Sequence, residues 1–351
     1  MPETPALGRF SSIAGVLDAL IEGTSLTKAE AEATMNAVFD GDTDPALVAG
    51  LLVAFRAKGE TGDELGGMIA SMISHATRVE LDGDAIDVVG TGGDNKHSVN
   101  VSTMAAITIA GAGVNVAKHG NRSASSSVGS ADVLEALGMT IELSAEAVRA
   151  SIASSGFGFM FAPRFHPAMR YVGPVRKALG VRTTFNVLGP LANPAQPAFY
   201  LLGVGAPEVH DIVAKVLGAR GVRRAWIVRS EDGFDELTTS APSKVIEIIG
   251  DGTGSYEERS FTLDPRSLGF SPAASDALRG GDVRHNAQVM QDVLGGSPSC
   301  VRDAVVLNAA AGLVIAGHAV ELPEAIAQAE SSIDSGRAAA ALEVAISVSN
   351  E

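Results

Sequence analysis

Ile86-Asp87-Val88-Val89-Gly90-Thr91-Gly92-Gly93-Asp94 is the stretch that decides the fold. Ile86, Val88 and Val89 read as a short buried strand, and a turn with three glycines follows at once. A helix is expected to open near Asn100. Strand, glycine turn and helix in succession make the first unit of an α/β layer. Downstream, strands are expected at Val114 to Ala117, Phe157 to Phe161, Tyr200 to Val204, Ala225 to Val228 and Val245 to Ile249. Helical patterns separate them, which predicts a mostly parallel central sheet. After Gly280 the chain reads as helices again: Ala287 to Leu294, Val301 to Ile315, Pro323 to Ser332 and Gly336 to Ser347.

Upstream of Ile86 the pattern is helical throughout. Ile13, Val16, Leu17, Leu20 and Ile21 recur at helical spacing. Thr27 and Glu30 make a capping box for a second helix, Asp44 precedes a third, and Thr61 caps a fourth. Two domains are therefore expected: a helical one over residues 1–80 and an α/β one over 81–351. The proline-bounded helices at about 167–194 are expected to join the helical domain.

Composition limits the function. The 351 residues can bury a full core, and aromatics are only 5%, so the core is aliphatic and alanine-rich. A formal net charge of −15 argues against duplex DNA and anionic membrane as partners. Cys300 is the single cysteine, which excludes an internal disulfide and suits a reducing compartment. Met1 to Phe10 lacks a basic segment followed by an apolar one, so no export signal is expected. The most apolar run, Ala304 to Val320, is interrupted by Asn308, Gly312, Gly317 and His318 and reads as a buried helix. A cytoplasmic protein is expected.

Four segments carry candidate chemistry. The Gly90–Asp94 turn serves either as a tight turn or as an anion site built from backbone N–H groups and the following helix end. It is not a Walker A loop, because Asn95 precedes Lys96, and not a dinucleotide fingerprint, because Asn95 occupies the sixth position. Asn100-Val101-Ser102-Thr103 offers three polar side chains where one N-cap suffices, so the others suit phosphate or a metal ion. Lys118-His119-Gly120-Asn121-Arg122-Ser123-Ala124-Ser125-Ser126 is too polar for a core and is expected as a loop at the carboxyl end of a strand, where ligands bind open α/β sheets. Asp235-Glu236, beyond another strand, is either a solvated acidic pair or a Mg²⁺ site.

Together these segments resemble the anthranilate phosphoribosyltransferase family. Gly129-Ser130-Ala131-Asp132, Phe161-Ala162-Pro163 with His166-Pro167, Arg176, Phe185-Asn186-Val187-Leu188-Gly189-Pro190, Asp235-Glu236-Leu237 and Lys58-Gly59-Glu60-Thr61 extend the likeness over nearly the whole chain. Asn95-Lys96-His97-Ser98 departs from it, since the family more often has glycine after the aspartate and threonine where Ser98 stands. The resemblance implies a nucleoside phosphorylase-like fold with its active site between a helical and an α/β domain, and a homodimer joined through the helical domains. It implies Mg²⁺, as two ions, held with the help of Ser102, Asp235 and Glu236. Gly90, Gly93, Asp94, Ser98, Asn100, Val101, Ser102 and Thr103 would contact 5-phosphoribosyl 1-diphosphate. Residues Lys118 to Ser126, with Ser130, would complete its cradle. Gly90, His119, Asn121, Pro163, His166 and Arg176 would meet anthranilate. Arg176 is matched to its carboxylate, and His119 is a wall of the channel or a general base, the wall being favoured. Two other readings share the fold: a pyrimidine nucleoside phosphorylase, against which Lys118–Ser126 and the acidic pair speak, and a non-catalytic nucleic-acid binder, disfavoured by the charge.

Overall fold

The computed structural model describes residues 7–92, 94, 96–122, 128–274 and 276–351. Four helices come first: α1 (Ile13–Ile21), α2 (Lys28–Phe39), α3 (Pro45–Lys58) and α4 (Gly62–Ser74). Next are β1 (Ile86–Gly90), α5 (Val101–Gly111), β2 (Val116–Gly120), α6 (Ser130–Ala136), α7 (Ala145–Ser155) and β3 (Phe157–Phe161). A helical stretch holds α8 (Ala162–Phe165), α9 (Gly173–Leu179) and α10 (Phe185–Leu191). Then come β4 (Phe199–Gly203), α11 (His210–Ala219), β5 (Arg224–Ser230), β6 (Ser243–Gly250) and β7 (Tyr256–Leu263). The chain closes with α12 (Val283–Leu294), α13 (Cys300–Ile315), α14 (Leu322–Asp334) and α15 (Arg337–Ser349). It divides into a helical unit, Met1–Arg78 with Pro163–Pro194, and an α/β unit, Val79–Ala162 with Ala195–Glu351.

Within the helical unit, side chains satisfy helix ends that the backbone leaves open. Thr27 with Glu30, and Thr61 with Glu64, form reciprocal capping boxes on α2 and α4. Glu64 is buried, so its charge needs compensation. It accepts from the Leu26 amide at 2.9 Å and pairs with the Lys58 ammonium at 2.8 Å. The Thr184 hydroxyl, at the start of α10, donates to Glu60 at 2.5 Å. Phe185 then meets Phe39 of α2 edge to face, with ring centroids 6.2 Å apart.

The α/β unit is one seven-stranded sheet in the order β3-β2-β1-β4-β5-β6-β7. The first five strands of that order are parallel, and β6 and β7 add antiparallel at the edge. The chain builds outward from β1 to β2 and β3, then returns to place β4 on the other side of β1. This reversal creates a switch point at the carboxyl ends of β1 and β4. Gly90 and Gly203 sit there in register. Helix α5 is buried from Thr103 to Ala110 and packs against β1 and β2, so it stands close behind the switch point.

Two expectations about strands need correction. Lys118, His119 and Gly120 are the last residues of β2, paired with Phe159, Met160 and Phe161, and do not begin a loop. Strand β7 was not expected: Glu257, Glu258 and Arg259 on an exposed edge give it no apolar run to read.

Candidate active site

The switch point is built around the carboxylate of Asp235. After β5, the Ser230 amide donates to the Phe234 carbonyl at 3.1 Å, closing a tight turn that turns the chain back over the sheet. Asp235 thereby lies across the ends of β1 and β4. A Cβ on Gly203 would overlap the Asp235 main-chain oxygen, and one on Gly90 would overlap its carboxylate. Glycine is required at Gly203, where the clash is with backbone, whereas a side chain at Gly90 would displace the Asp235 carboxylate. The Gly92 amide, in a turn with φ of 65°, donates to Asp235 Oδ2 at 2.6 Å.

The amide of Ser102, in the first turn of α5, bonds Glu236. The sequence reads the glycine turn either as a tight turn or as an anion site formed by its amides and the helix end. Two of these amides instead hold the acidic pair, because a carboxylate of the chain itself finds the same free N–H groups and the same positive helix end. Asn100 makes no capping bond to α5. Its side chain donates to the Val128 carbonyl at 3.2 Å and accepts from Asn286 at 3.1 Å. It therefore ties the helix entry to the segment before α6 and to α12.

Charge is concentrated here. Burial, then the nearness of Asp94, raises the pKa of Asp235. Burial, then Asp235 and Asp94, raises that of Glu236 well above the ordinary value. Glu236 Oε2 is shut from solvent with no hydrogen-bond partner among the described residues. The buried ammonium of Lys118 acts against the charge of Glu236. Lys118 is 2% exposed, donates to the Val88 carbonyl at 2.5 Å and reaches Ser102 Oγ at 3.3 Å. Burial lowers its pKa to about 8, against the pull of Asp87 and Glu236. A polar strand end is thus buried because Lys118 has specific partners in Val88 and Ser102 and the His119 amide has one in Asp87, which explains why its composition read as a loop.

The structure gathers Gly90, Asp94, Ser102, Lys118, Asp235 and Glu236 at the switch point. Val101 is buried in the core, and its amide bonds the Val99 carbonyl. The Thr103 hydroxyl is buried. Ser98 is pinned by a bridge to Arg279. His119 is buried at the end of β2, its amide 3.4 Å from Asp87. A Cβ on Gly120 would overlap the Ser130 hydroxyl. That hydroxyl and the Ala131 amide, at the start of α6, both turn to the Asn121 carbonyl. Arg122 pairs with Asp132 and Glu135 of α6 at 2.9 and 2.8 Å. Gly93, Ser123, Ala124, Ser125 and Ser126 lie outside the described residues.

Arg176, His166 and Pro163 belong to the helical unit. Arg176 lies over the Phe185 ring, 5.4 Å from its centroid, and burial lowers its pKa. It has no ion pair among the described residues. His166 is buried, bonds the backbone of Ala192 and Met72, and has a pKa lowered to about 4 by burial. Pro163 is exposed on α8.

Sequence reading missed Asp87, Lys96 and Asn286. Asp87 alternates with apolar residues along β1 and was the available signal. Lys96 carries its ammonium 5.2 Å from the Phe234 ring, beside the acidic loop. Asn286, buried on α12, gave no signal, because its partner is 186 residues away.

The donor set fits magnesium. Among the described residues no three His, Cys, Asp or Glu side chains gather into a group able to hold a metal alone. Two crowded carboxylates with an unpartnered oxygen suit an ion that completes its shell with phosphate oxygens and water.

Comparison with known proteins extends this picture. Residues 82–339 match the glycosyl transferase family a/b domain, and residues 14–76 match the helical bundle domain of that family. An anthranilate phosphoribosyltransferase of Mesorhizobium japonicum is 48% identical over 93% of this chain and 96% of its own length. One from Thermomicrobium roseum is 48% identical over 94% and 95%. The crystal structure of anthranilate phosphoribosyltransferase from Thermus thermophilus superposes with a TM-score of 0.88 at 41% identity, covering 95% of this chain and 99% of that one. The Saccharomyces cerevisiae enzyme, in complex with PRPP and Mg, gives 0.87 at 25% identity, covering 98% and 99%. With relatives this similar matched end to end, and with the glycines and carboxylates of the switch point in place, the chain belongs to the anthranilate phosphoribosyltransferase family.

Proposed function

We propose that the protein transfers the phosphoribosyl group of 5-phosphoribosyl 1-diphosphate to the amine of anthranilate. The products are N-(5-phosphoribosyl)anthranilate and diphosphate, in a step of tryptophan biosynthesis. The observation that carries the reading is the pair Asp235 and Glu236, held at the switch point by the Gly92 and Ser102 amides.

The reaction breaks the bond between the ribosyl anomeric carbon and the diphosphate oxygen. Negative charge grows on the leaving group as positive charge grows on the sugar. Bound Mg²⁺ supplies Lewis-acid stabilisation of the diphosphate. Asp235 and Glu236, with the Ser102 hydroxyl, would hold the metal ions, which the family resemblance implies to be two. Lys118 bonds the Ser102 hydroxyl and attracts Glu236, which helps to keep both in place. Gly93, Asp94, Asn100, Thr103 and the serine-rich segment to Ser126, with Ser130, are the residues that the family resemblance assigns to diphosphate and ribose. Arg176 takes the anthranilate carboxylate through its planar fork. By the family resemblance, His119 and Asn121 of the α/β unit and Pro163 and His166 of the helical unit are assigned to anthranilate. The amine is neutral at neutral pH, attacks the anomeric carbon and then loses its proton, so no covalent enzyme intermediate is needed. The protein works as a cytoplasmic homodimer joined through the helical domain, with neither nucleic acid nor membrane as partner. Among the described residues no helix is long and apolar enough to cross a membrane.

Anthranilate fluorescence is the test. It should fall when purified protein receives both substrates and Mg²⁺, and hold steady when EDTA is added first. Thymidine or uridine with phosphate should give no free base. Folded protein that cleaves those nucleosides and leaves anthranilate untouched would replace this reading with the phosphorylase one.

A further inference from the structure

Helix α13 is buried from Ala304 to Ile315, and Asn308 is the one polar side chain in that run. Asparagine is a poor helix former, and an amide among apolar neighbours is unfavourable unless its hydrogen bonds are made. Packing of α13 alone would be served better by leucine or methionine.

The bonds that Asn308 makes explain its presence. Its Nδ2 donates to the Leu237 carbonyl at 2.7 Å and to the Ala304 carbonyl at 2.8 Å. Its Oδ1 accepts from the Leu237 amide at 3.2 Å. Both backbone groups of Leu237 are thus taken by one side chain, as a neighbouring strand would take them. Leu237 directly follows Asp235-Glu236 and lies between β5 and β6, outside the sheet ladder. Its own side chain is fully buried. The clamp therefore fixes the main chain at the far side of the acidic pair, while Gly92 and Ser102 fix its carboxylates at the near side.

We propose that Asn308 is a positioning residue for the acidic pair, fixing the main chain at Leu237 so that Asp235 and Glu236 stay where they would hold magnesium. The proposal rests on the reading of that pair as metal carboxylates. Holding them in a preset arrangement matters, because like charges of buried carboxylates would otherwise drive the loop apart. Asn308 touches neither metal nor substrate in this account. It acts through the backbone of Leu237.

The variant Asn308→Leu keeps the bulk and leaves both Leu237 groups without their partner. Mn²⁺ binding in the presence of 5-phosphoribosyl 1-diphosphate, followed by electron paramagnetic resonance, should weaken by about ten- to a hundredfold, the range for partners that orient metal ligands. The Mg²⁺ concentration for half-maximal rate should rise in parallel, and high Mg²⁺ should recover kcat. KM for anthranilate at saturating Mg²⁺ should change by less than about twofold. A folded variant with unchanged Mn²⁺ affinity would overturn the proposal, as would equal damage to every kinetic constant. If Asn308→Leu does not fold, amide exchange in the unaltered protein decides. The Leu237 amide should exchange as slowly as those in the middle of α13, and exchange at the rate of exposed loop amides would contradict the clamp. The double variant Asp235→Asn with Glu236→Gln separates the two claims. If it leaves Mn²⁺ binding intact, the metal reading fails. If it abolishes binding while Asn308→Leu does not change it, only the clamp fails.

Discussion

Arg176 is half-buried, and its neighbour in the helical unit is the face of Phe185. A guanidinium in that setting suits a carboxylate brought by a substrate. Arg176→Ala should lower kcat/KM for anthranilate by about ten- to a hundredfold, which corresponds to roughly 1.5–3 kcal/mol for a charge-assisted hydrogen bond. KM for 5-phosphoribosyl 1-diphosphate should move little, and Arg176→Lys should restore little, since an ammonium cannot form the fork. Lys118→Ala should do the reverse, because it removes the cation that bonds Ser102 and attracts Glu236. Steady-state kinetics with each substrate varied in turn checks both. Two variants that raise the same KM would show the subsites to be misplaced. His166 gives a pH signature instead. Its folded pKa is about 4, against an ordinary value of 6.5. Between these values the unfolded chain binds the proton that the folded chain refuses, so stability falls as pH falls through that window. The loss from this group amounts to roughly 3 kcal/mol once pH is below 4. Chemical denaturation at several pH values should show a shallower acid slope for His166→Gln than for the unaltered chain. Identical slopes would assign the acid sensitivity elsewhere.

Individual elements were legible wherever local rules fixed them. The capping boxes at Thr27 and Thr61 could be read because their partners are three residues away. Strand β1 and its glycine turn could be read because an apolar run meets three glycines. The end of β2 could not. Lys118 and His119 look like loop residues until Val88, Ser102 and Asp87 are brought beside them, and those partners lie 16 to 32 residues away in sequence. Strand β7 was hidden because an edge strand needs no alternating apolar face. Gly203 makes a prediction at this level. It ends β4 and leaves room for the Asp235 main chain. Gly203→Ala should push the acidic loop off the sheet and cost about 1–3 kcal/mol, as overpacking does. It should also weaken Mg²⁺ dependence far more than Arg176→Ala does. Thermal unfolding with Mg²⁺ titration of the rate checks this. Unchanged Mg²⁺ dependence would mean that the loop does not depend on the glycine.

Over the whole molecule, fold class followed from the alternation of strands and helices, and the sheet is parallel apart from β6 and β7. The strand order was not legible, because nothing local to β4 says that it returns to β1. That return makes the switch point, and it unites segments that are 143 residues apart, as the Gly92 to Asp235 bond illustrates. The candidate site could be named in pieces from its motifs, but its internal wiring could not: the acidic pair takes the amides that the motifs suggested for an anion. Turnover measured as a balance of both products tests the central claim most directly. Anthranilate consumed and diphosphate released should be equal in amount in the presence of Mg²⁺. Both should stop with EDTA, and kcat should drop by at least about tenfold in Asp235→Asn with Glu236→Gln. Diphosphate released without loss of anthranilate, or turnover indifferent to that double variant, would contradict the account.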